Sequence, residues 1–190
     1  MTVLVLGLIL FLGIHSVSIV APAWRDARSA AMGEAAWKGL YSIVSAAGFA
    51  LLIYGYGLAR QQPVVLYTPP AAMRHVAMLL MLPVFVLLLA AYLPGRVQRA
   101  AKHPMLLAVK LWALAHLLAN GNLADVLLFG GFLAWAAADR VSMKHRAQRR
   151  LPGAPPSPMN DVIAVVAGLA IYAAFVFWAH GRLIGVALVG

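Results

Sequence analysis

Long apolar segments alternate with short polar ones along nearly the whole chain. Measured against the roughly 20 residues that a helix needs to cross a bilayer, the apolar segments predict six spans. They lie at about residues 2–21, 39–58, 74–93, 104–119, 123–138 and 161–179. Prolines interrupt the second connection at Pro63, Pro69 and Pro70, and the fifth at Pro152, Pro155, Pro156 and Pro158. Because proline cannot continue a helix, the pattern predicts an all-α protein: a polytopic membrane helix bundle of about six transmembrane helices.

The pattern contains no internal repeat, and it indicates a single transmembrane domain over residues 1–190. The first span has one feature of a signal peptide, since Ala21-Pro22-Ala23 resembles a cleavage site. It lacks a basic segment before its apolar run, and that run is longer than in a signal peptide. We therefore expect it to be a retained first helix.

Composition supports a membrane protein. Hydrophobic residues make up 64% of the chain and charged residues 11%, with a mean hydropathy of +0.88, which excludes an ordinary soluble domain. Cysteine is absent, so disulfides, thiolate metal sites and thiolate haem ligation are excluded. The net charge of +10 is typical of basic cytoplasmic loops, and we expect the lipid bilayer rather than nucleic acid as the partner.

The basic residues also predict an orientation. The first, third and fifth connections carry eleven lysines and arginines, whereas two, Arg60 and Arg74, lie in or directly next to the second and none lies in the fourth. Lysine and arginine accumulate in cytoplasmic loops, so we expect these odd connections, including Arg140 to Arg150, in the cytoplasm. The N-terminus is then periplasmic.

Two histidines lie inside predicted spans, His15 in the first and His116 in the fourth. An ionisable side chain in hydrocarbon is costly and usually faces the protein interior, where it binds something. Imidazole is a common ligand of haem iron and also a proton relay, and a hydrogen-bonded packing residue is the alternative for either position. His75, His145 and His180 lie near span ends or in a basic loop, and we read them as interfacial.

The fourth span carries further polar residues. Lys110 lies near its middle, where it either binds an anion such as a haem propionate or extends its side chain to lipid phosphate. His103 shares a helix face with Lys110 and precedes Pro104, a residue suited to the first turn of a helix. His116 shares its face with Asn120.

Two locations are open for the turn Asn120-Gly121-Asn122, and two roles are open for the nearby Asp125. The turn either places its amides inside the protein, where they satisfy backbone groups, or lies at the membrane interface. Asp125 either pairs with a cation or holds a histidine tautomer, or it is a lone interfacial carboxylate.

Six short blocks along the chain form a recognisable series. They are Gly13-Ile14-His15-Ser16, Trp24-Arg25, Lys38-Gly39-Leu40-Tyr41-Ser42, Lys102-His103-Pro104-Met105, Leu111-Trp112-Ala113-Leu114-Ala115-His116-Leu117-Leu118-Ala119-Asn120-Gly121-Asn122 and Leu128-Phe129-Gly130-Gly131. This series resembles the NnrU family of bacterial membrane proteins, and the resemblance covers nearly the whole chain. It implies a multi-pass protein of the bacterial inner membrane, linked to nitric oxide and denitrification metabolism.

NnrU proteins are similar in turn to the zeta-carotene isomerases, membrane enzymes that carry haem b. The isomerase haem-ligand blocks match His15-Ser16 and Ala115-His116. The resemblance thus implies haem b ligated by His15 and His116. We expect His103, Lys110 and Asn120 as further cofactor-binding residues. Val17 stands where the isomerases have glycine, and Tyr56 stands near an isomerase histidine.

The ligand pair has a geometric constraint. At about 1.5 Å per residue, His15 lies about 7 Å from the cytoplasmic end of its helix and His116 about 18 Å from the same side. One iron can join them only if the haem plane tilts toward the membrane plane. His103 is level with His15 and is the competing second ligand.

Two classes of function follow. The first is a haem-dependent redox protein or isomerase acting on a small or isoprenoid ligand. The second is a non-enzymatic membrane factor or transporter, in which Lys110, Asp125 and the histidines line a polar path.

Overall fold

The computed structural model describes residues 1–146 and 153–189. The helices in chain order are α1 (Thr2–Val20), α2 (Pro22–Met32), α3 (Glu34–Gln61), α4 (Met73–Met81), α5 (Val84–Ala90), α6 (Arg96–Ala101), α7 (Pro104–Ala119), α8 (Leu123–Ser142) and α9 (Met159–Ala174), then a π-helical turn (Phe175–Ala179) and α10 (His180–Ile184). Within the described ranges no strand forms, and the predicted all-α class is confirmed. Arg149, Arg150 and Pro152 of the predicted basic loop lie outside the described residues.

Helices occur at all six predicted spans, with differences in length. By length and composition, four are long and apolar enough to cross a membrane: Thr2–Val20, Glu34–Gln61, Met73–Ala90 and Met159–Ile184. α7 has the predicted bounds but only 16 residues, about 24 Å of helix against a hydrocarbon core of about 30 Å. α8 has 20 residues and includes the charged Asp125, Asp139 and Arg140. The count of six therefore stays a prediction.

Two predicted connections contain helices. α2 occupies most of the first connection, and α6 part of the third. α2 has Pro22 in its first turn, where a missing N–H costs nothing, and is rich in alanine, the best helix former. Its Trp24 ring meets the Trp37 ring at 6.1 Å, so α2 packs against the start of α3.

The third predicted span is interrupted. α4 ends at Met81 and α5 begins at Val84, with Pro83 as the residue before α5. Proline has no N–H to donate and its ring clashes with the preceding turn, which accounts for the break.

The described chain divides into two compact units. The first contains residues 1–70 and 116–146, and the second contains residues 71–115 and 153–189. α7 contributes its residues up to Ala115 to the second unit and its last turn, from His116, to the first.

In the first unit, glycines allow α1 and α3 to approach at backbone distance. A Cβ atom at Gly7 would lie 2.6 Å from the Leu52 nitrogen, and one at Gly48 would lie 2.7 Å from the Phe11 nitrogen. Next to these contacts, a buried cluster of Leu4, Leu52 and Ala59 joins α1 and α3, and Ala124 brings in α8. Small residues let membrane helices pack closely where burial of apolar surface alone provides little attraction.

The connection after α3 covers the turn between α7 and α8. Leu66 and Tyr67 donate their backbone N–H groups to the Gly121 carbonyl at 2.9 and 3.1 Å, and Leu123 donates to the Val64 carbonyl at 2.8 Å. A Cβ at Gly121 would overlap the Tyr67 carbonyl oxygen, so only glycine fits there. The turn's backbone groups are therefore satisfied by protein, which favours the first alternative for Asn120-Gly121-Asn122.

In the second unit α5 packs on α9, where a Cβ at Gly168 would lie 2.6 Å from the Val86 nitrogen. The Asp161 carboxylate, in the first turn of α9, accepts the Arg96 and Val97 N–H groups at 2.8 and 3.0 Å. It thereby caps α6. The buried Asn160 donates to the Pro94 carbonyl at 2.9 Å, so neighbouring polar residues tie α9 to the same turn.

Candidate functional site

His15 lies where α1, α3 and α8 of the first unit meet. Its ring stacks on Phe11, one turn earlier on α1, with centroids 4.3 Å apart. The Tyr41 ring of α3 lies 5.1 Å away, and the Trp135 ring of α8 lies 5.9 Å away and nearly perpendicular. The imidazole is half-buried among aromatic rings contributed by three helices.

A backbone contact orients the His15 ring. Its Nδ1 lies 2.7 Å from the Phe11 carbonyl oxygen. A carbonyl oxygen can only accept, so Nδ1 carries the proton and Nε2 carries the lone pair. Metal-binding histidines show the same arrangement, in which a carbonyl holds one ring N–H and directs the other nitrogen to the metal.

Two buried N–H donors, one on α8 beside this histidine and one just after α8, lack a partner. They are the indole Nε1 of Trp135 and the Nε of Arg146. Arg146 also forms an ion pair with Asp139, which lies one turn beyond Trp135 on α8. A buried polar group without a partner costs about 1–3 kcal/mol, and such a group commonly marks an absent ligand or water. These atoms show where an acceptor would fit.

His116 lies at the end of α7, inside the first unit. Its ring stacks on the buried Phe129 of α8 with centroids 4.4 Å apart and planes 25° apart. The Asn120 side chain donates to the His116 carbonyl oxygen at 2.9 Å. Asn120 thus satisfies a carbonyl at the end of α7, the helix-terminus role that polar side chains commonly have.

Asp125 is buried and accepts three hydrogen bonds in the first turn of α8. The Tyr56 hydroxyl donates to it at 2.6 Å. Asn122 donates its backbone N–H at 3.1 Å and its side-chain amide at 3.0 Å. Asp125 therefore caps α8 and binds α3, and these contacts support a structural role rather than a cation or histidine partner.

The two histidines contact α8 at different levels. His116 packs against Phe129 and His15 meets Trp135, six residues further along. At about 1.5 Å per residue these levels differ by about 9 Å. Between them Phe132 contacts Phe11, with ring centroids 5.6 Å apart. The offset agrees with the one expected from the sequence, and a shared iron would again require a tilted haem.

The other predicted site residues belong to the second unit. His103 and Lys110 are both half-buried there. The His103 carbonyl accepts the Leu107 N–H at 3.0 Å, as expected of the residue before Pro104 in a helix's first turn. Their participation in a haem site stays a prediction.

The remaining histidines are peripheral to this cluster. His75 and His145 are exposed. The His180 Nδ1 lies 2.7 Å from the Val186 carbonyl oxygen near the end of the chain. In residues 1–146 and 153–189, no three histidine, aspartate or glutamate side chains gather as a metal cluster.

Sequence reasoning missed Trp135 and Arg146. A signal was present in the spacing, since Phe129, Phe132 and Trp135 recur every three residues and so lie along adjoining faces of one helix. Arg146 had no such signal, because a basic loop predicts solvated arginines.

Comparison with known proteins identifies the family. The family model described as NnrU protein matches residues 3–188. No curated protein and no solved structure shows a significant match. Since the match covers nearly the whole chain, and the histidine blocks on which the sequence resemblance rests lie within it, this chain belongs to the NnrU family.

Proposed function

We propose that this protein is an integral protein of the bacterial inner membrane that binds haem b in its first unit, with His15 and His116 as axial ligands. The observation that carries the proposal is the His15 tautomer. Its Nδ1–H is held by the Phe11 carbonyl at 2.7 Å, so the lone pair is on Nε2.

The surroundings of His15 fit a porphyrin. Phe11, Tyr41 and Trp135 supply aromatic surface of the kind that a flat macrocycle contacts. Haem also carries carboxylates, and the unpartnered donors of Trp135 and Arg146 match that chemistry. The site therefore provides a metal ligand, apolar walls and anion partners.

His116 is the second ligand in this proposal because it lies in the same unit as His15. Its stacking on buried Phe129 limits how far its ring turns. His15 and His116 would hold the cofactor from two levels of α8, one near Trp135 and one near Phe129. His103 remains the competing second ligand.

The chemistry assigned to the protein follows from the cofactor. Bound haem b would supply an iron able to take up a small ligand or to polarise a polyene. The chain's own residues would orient the imidazoles, exclude water with aromatic rings and neutralise carboxylates. We propose a role in nitric oxide and denitrification metabolism, or in isomerisation of an isoprenoid.

The absorption spectrum of protein purified in mild detergent after expression with ample haem tests this function. We expect a sharp Soret band and resolved visible bands on reduction, as two imidazoles on low-spin iron produce. His15→Ala and His116→Ala should each convert the spectrum to high spin or remove haem. The exposed His75→Ala and His145→Ala serve as matched controls and should leave it unchanged.

Two results would contradict the assignment. Loss of the spectrum in His103→Ala but not in His116→Ala would show that His103 is the second ligand. A wild-type protein without Soret absorption would refute haem binding and favour the non-enzymatic membrane factor.

A further inference from the structure

Two buried N–H donors without partners are connected through Asp139. The Trp135 indole N–H is on α8, and Asp139 follows it by one helical turn, about 5.4 Å. Asp139 pairs with Arg146, whose Nε is also buried and unpartnered. Asp139 therefore links Arg146 to the face of α8 that carries Trp135.

The ion pair with Asp139 leaves the Nε–H donor of Arg146 without a partner. The contact with Asp139 is made through one terminal nitrogen of Arg146. A guanidinium has five N–H donors in a fixed fork, and the inward Nε–H is one that Asp139 does not take. A second anion can therefore bind Arg146 without displacing Asp139.

We propose that Trp135 and Arg146 form a carboxylate site that binds a propionate of the porphyrin held at His15. A carboxylate has two oxygens and accepts from two donors at once, which matches the indole N–H and the Arg146 Nε–H. The Trp135 ring lies 5.9 Å from the His15 ring, so the carboxylate site adjoins the proposed iron ligand. The inference rests on the proposed haem function for its ligand, and it concerns residues other than the proposed iron ligands His15 and His116.

The proposed orientation places the carboxylates at a polar end of the protein. Arg146 follows α8, in the connection that the charge distribution assigns to the cytoplasm. A propionate bound there lies toward the membrane surface, while the macrocycle extends toward the apolar aromatic rings. This gives Trp135 and Arg146 the anion-binding role that was one of two alternatives for Lys110 in the sequence.

Three porphyrins distinguish binding through the carboxylates from binding through the iron. Haemin has both, haemin dimethyl ester has iron but no carboxylate, and metal-free protoporphyrin IX has carboxylates but no iron. Affinities measured by titration of the full-length protein in detergent give a readout that needs no activity. In the wild type, we expect the ester to bind about tenfold or more weakly than haemin, since it cannot accept as a charged group.

Trp135→Phe removes the indole N–H and keeps an aromatic ring. This variant should bind haemin and protoporphyrin IX about tenfold more weakly than the wild type, and its affinity for the ester should be unchanged. Arg146→Lys, which keeps the charge near Asp139 but lacks the Nε–H, should act in the same direction. The control is Trp178→Phe, since Trp178 is 65% exposed. Its affinities should equal those of the wild type.

Failure of the carboxylate site and failure of iron ligation by His15 give different results. The carboxylate site would be overturned if Trp135→Phe lowered the affinity for all three porphyrins equally, or for none of them. It would also be overturned if the wild type bound the ester as tightly as haemin. His15→Ala should weaken the two iron porphyrins and spare protoporphyrin IX. An unchanged haemin affinity in His15→Ala would overturn the ligation while the carboxylate dependence stands. Absence of binding by every porphyrin would overturn both.

Discussion

At the scale of single residues, Asp125 shows how a polar side chain is accommodated in a largely apolar chain. It is only 2% exposed, and its oxygens accept from Tyr56 on α3 and from Asn122 at the start of α8. A buried carboxylate without such partners would be strongly unfavourable. Its role in the structure is to close the N-terminus of α8 and to join that helix to α3.

A pair of tyrosines on α3 tests this role. Tyr56→Phe leaves one Asp125 oxygen without its donor and should lower stability by about 1–3 kcal/mol. Tyr54→Phe is the matched control, because Tyr54 lies two residues away on the same helix and is 63% exposed. Thermal unfolding in detergent should show a lower midpoint for the first variant only. An equal midpoint in both would mean that the hydrogen bond to Asp125 does not stabilise the protein.

At the scale of helices, the α1–α3 contact depends on the absence of side chains. Gly7 and Gly55 lie against the backbone of the opposite helix, whereas Gly13 and Gly57 have no such neighbour within 4 Å. The same residue type therefore has two roles on these two helices. Gly7 and Gly55 permit backbone contact between the two helices, whereas Gly13 and Gly57 face open space.

Alanine substitution should separate the two glycine pairs. Gly7→Ala and Gly55→Ala place a methyl group against backbone, and the helices must move apart, at a cost of about 1–3 kcal/mol. Gly13→Ala and Gly57→Ala should be neutral or stabilise by up to about 1 kcal/mol, since alanine is the better helix former. Unfolding midpoints in detergent measure the difference. Four variants of equal stability would show that the close approach is not required.

At the scale of the whole molecule, the distribution of basic residues predicts the orientation in the membrane. Lys and Arg in the odd connections outnumber those in or directly next to the even ones eleven to two. Translocating them across the bilayer is unfavourable, so these connections should remain in the cytoplasm. Four helices in the described part of the chain have the length and composition of a span. An orientation measurement decides whether α7 and α8 also cross the membrane.

Reporter fusions at three points test the orientation. Fusions after Gly33 and after Lys144 should be active only with a cytoplasmic reporter, and a fusion after Asn120, in the turn between α7 and α8, only with an exported one. With six spans, Gly33 and Lys144 lie on the same side. A fusion after Asn120 that is active only with a cytoplasmic reporter, or export of the reporter after Lys144, would show that α7 and α8 do not both cross, and the six-span arrangement would be wrong.

The sequence by itself determined the helical class, the approximate position of each apolar helix and the places of the two histidines along their helices. These properties depend on local features: the length of an apolar run, a proline at its start, and the constant rise per residue. α7 accordingly begins at Pro104 and ends at Ala119 as expected. The level difference between His15 and His116 follows from counting residues.

Only the tertiary structure decided which faces of the helices meet. α1 is apolar on nearly every side, so its hydrophobic pattern does not select the face that packs on α3 or α8. The partners of Asp125, the aromatic rings around His15 and the donors left unpaired on Trp135 and Arg146 all depend on that choice. They depend on helix rotation and close backbone contact between distant residues, which the local pattern does not specify.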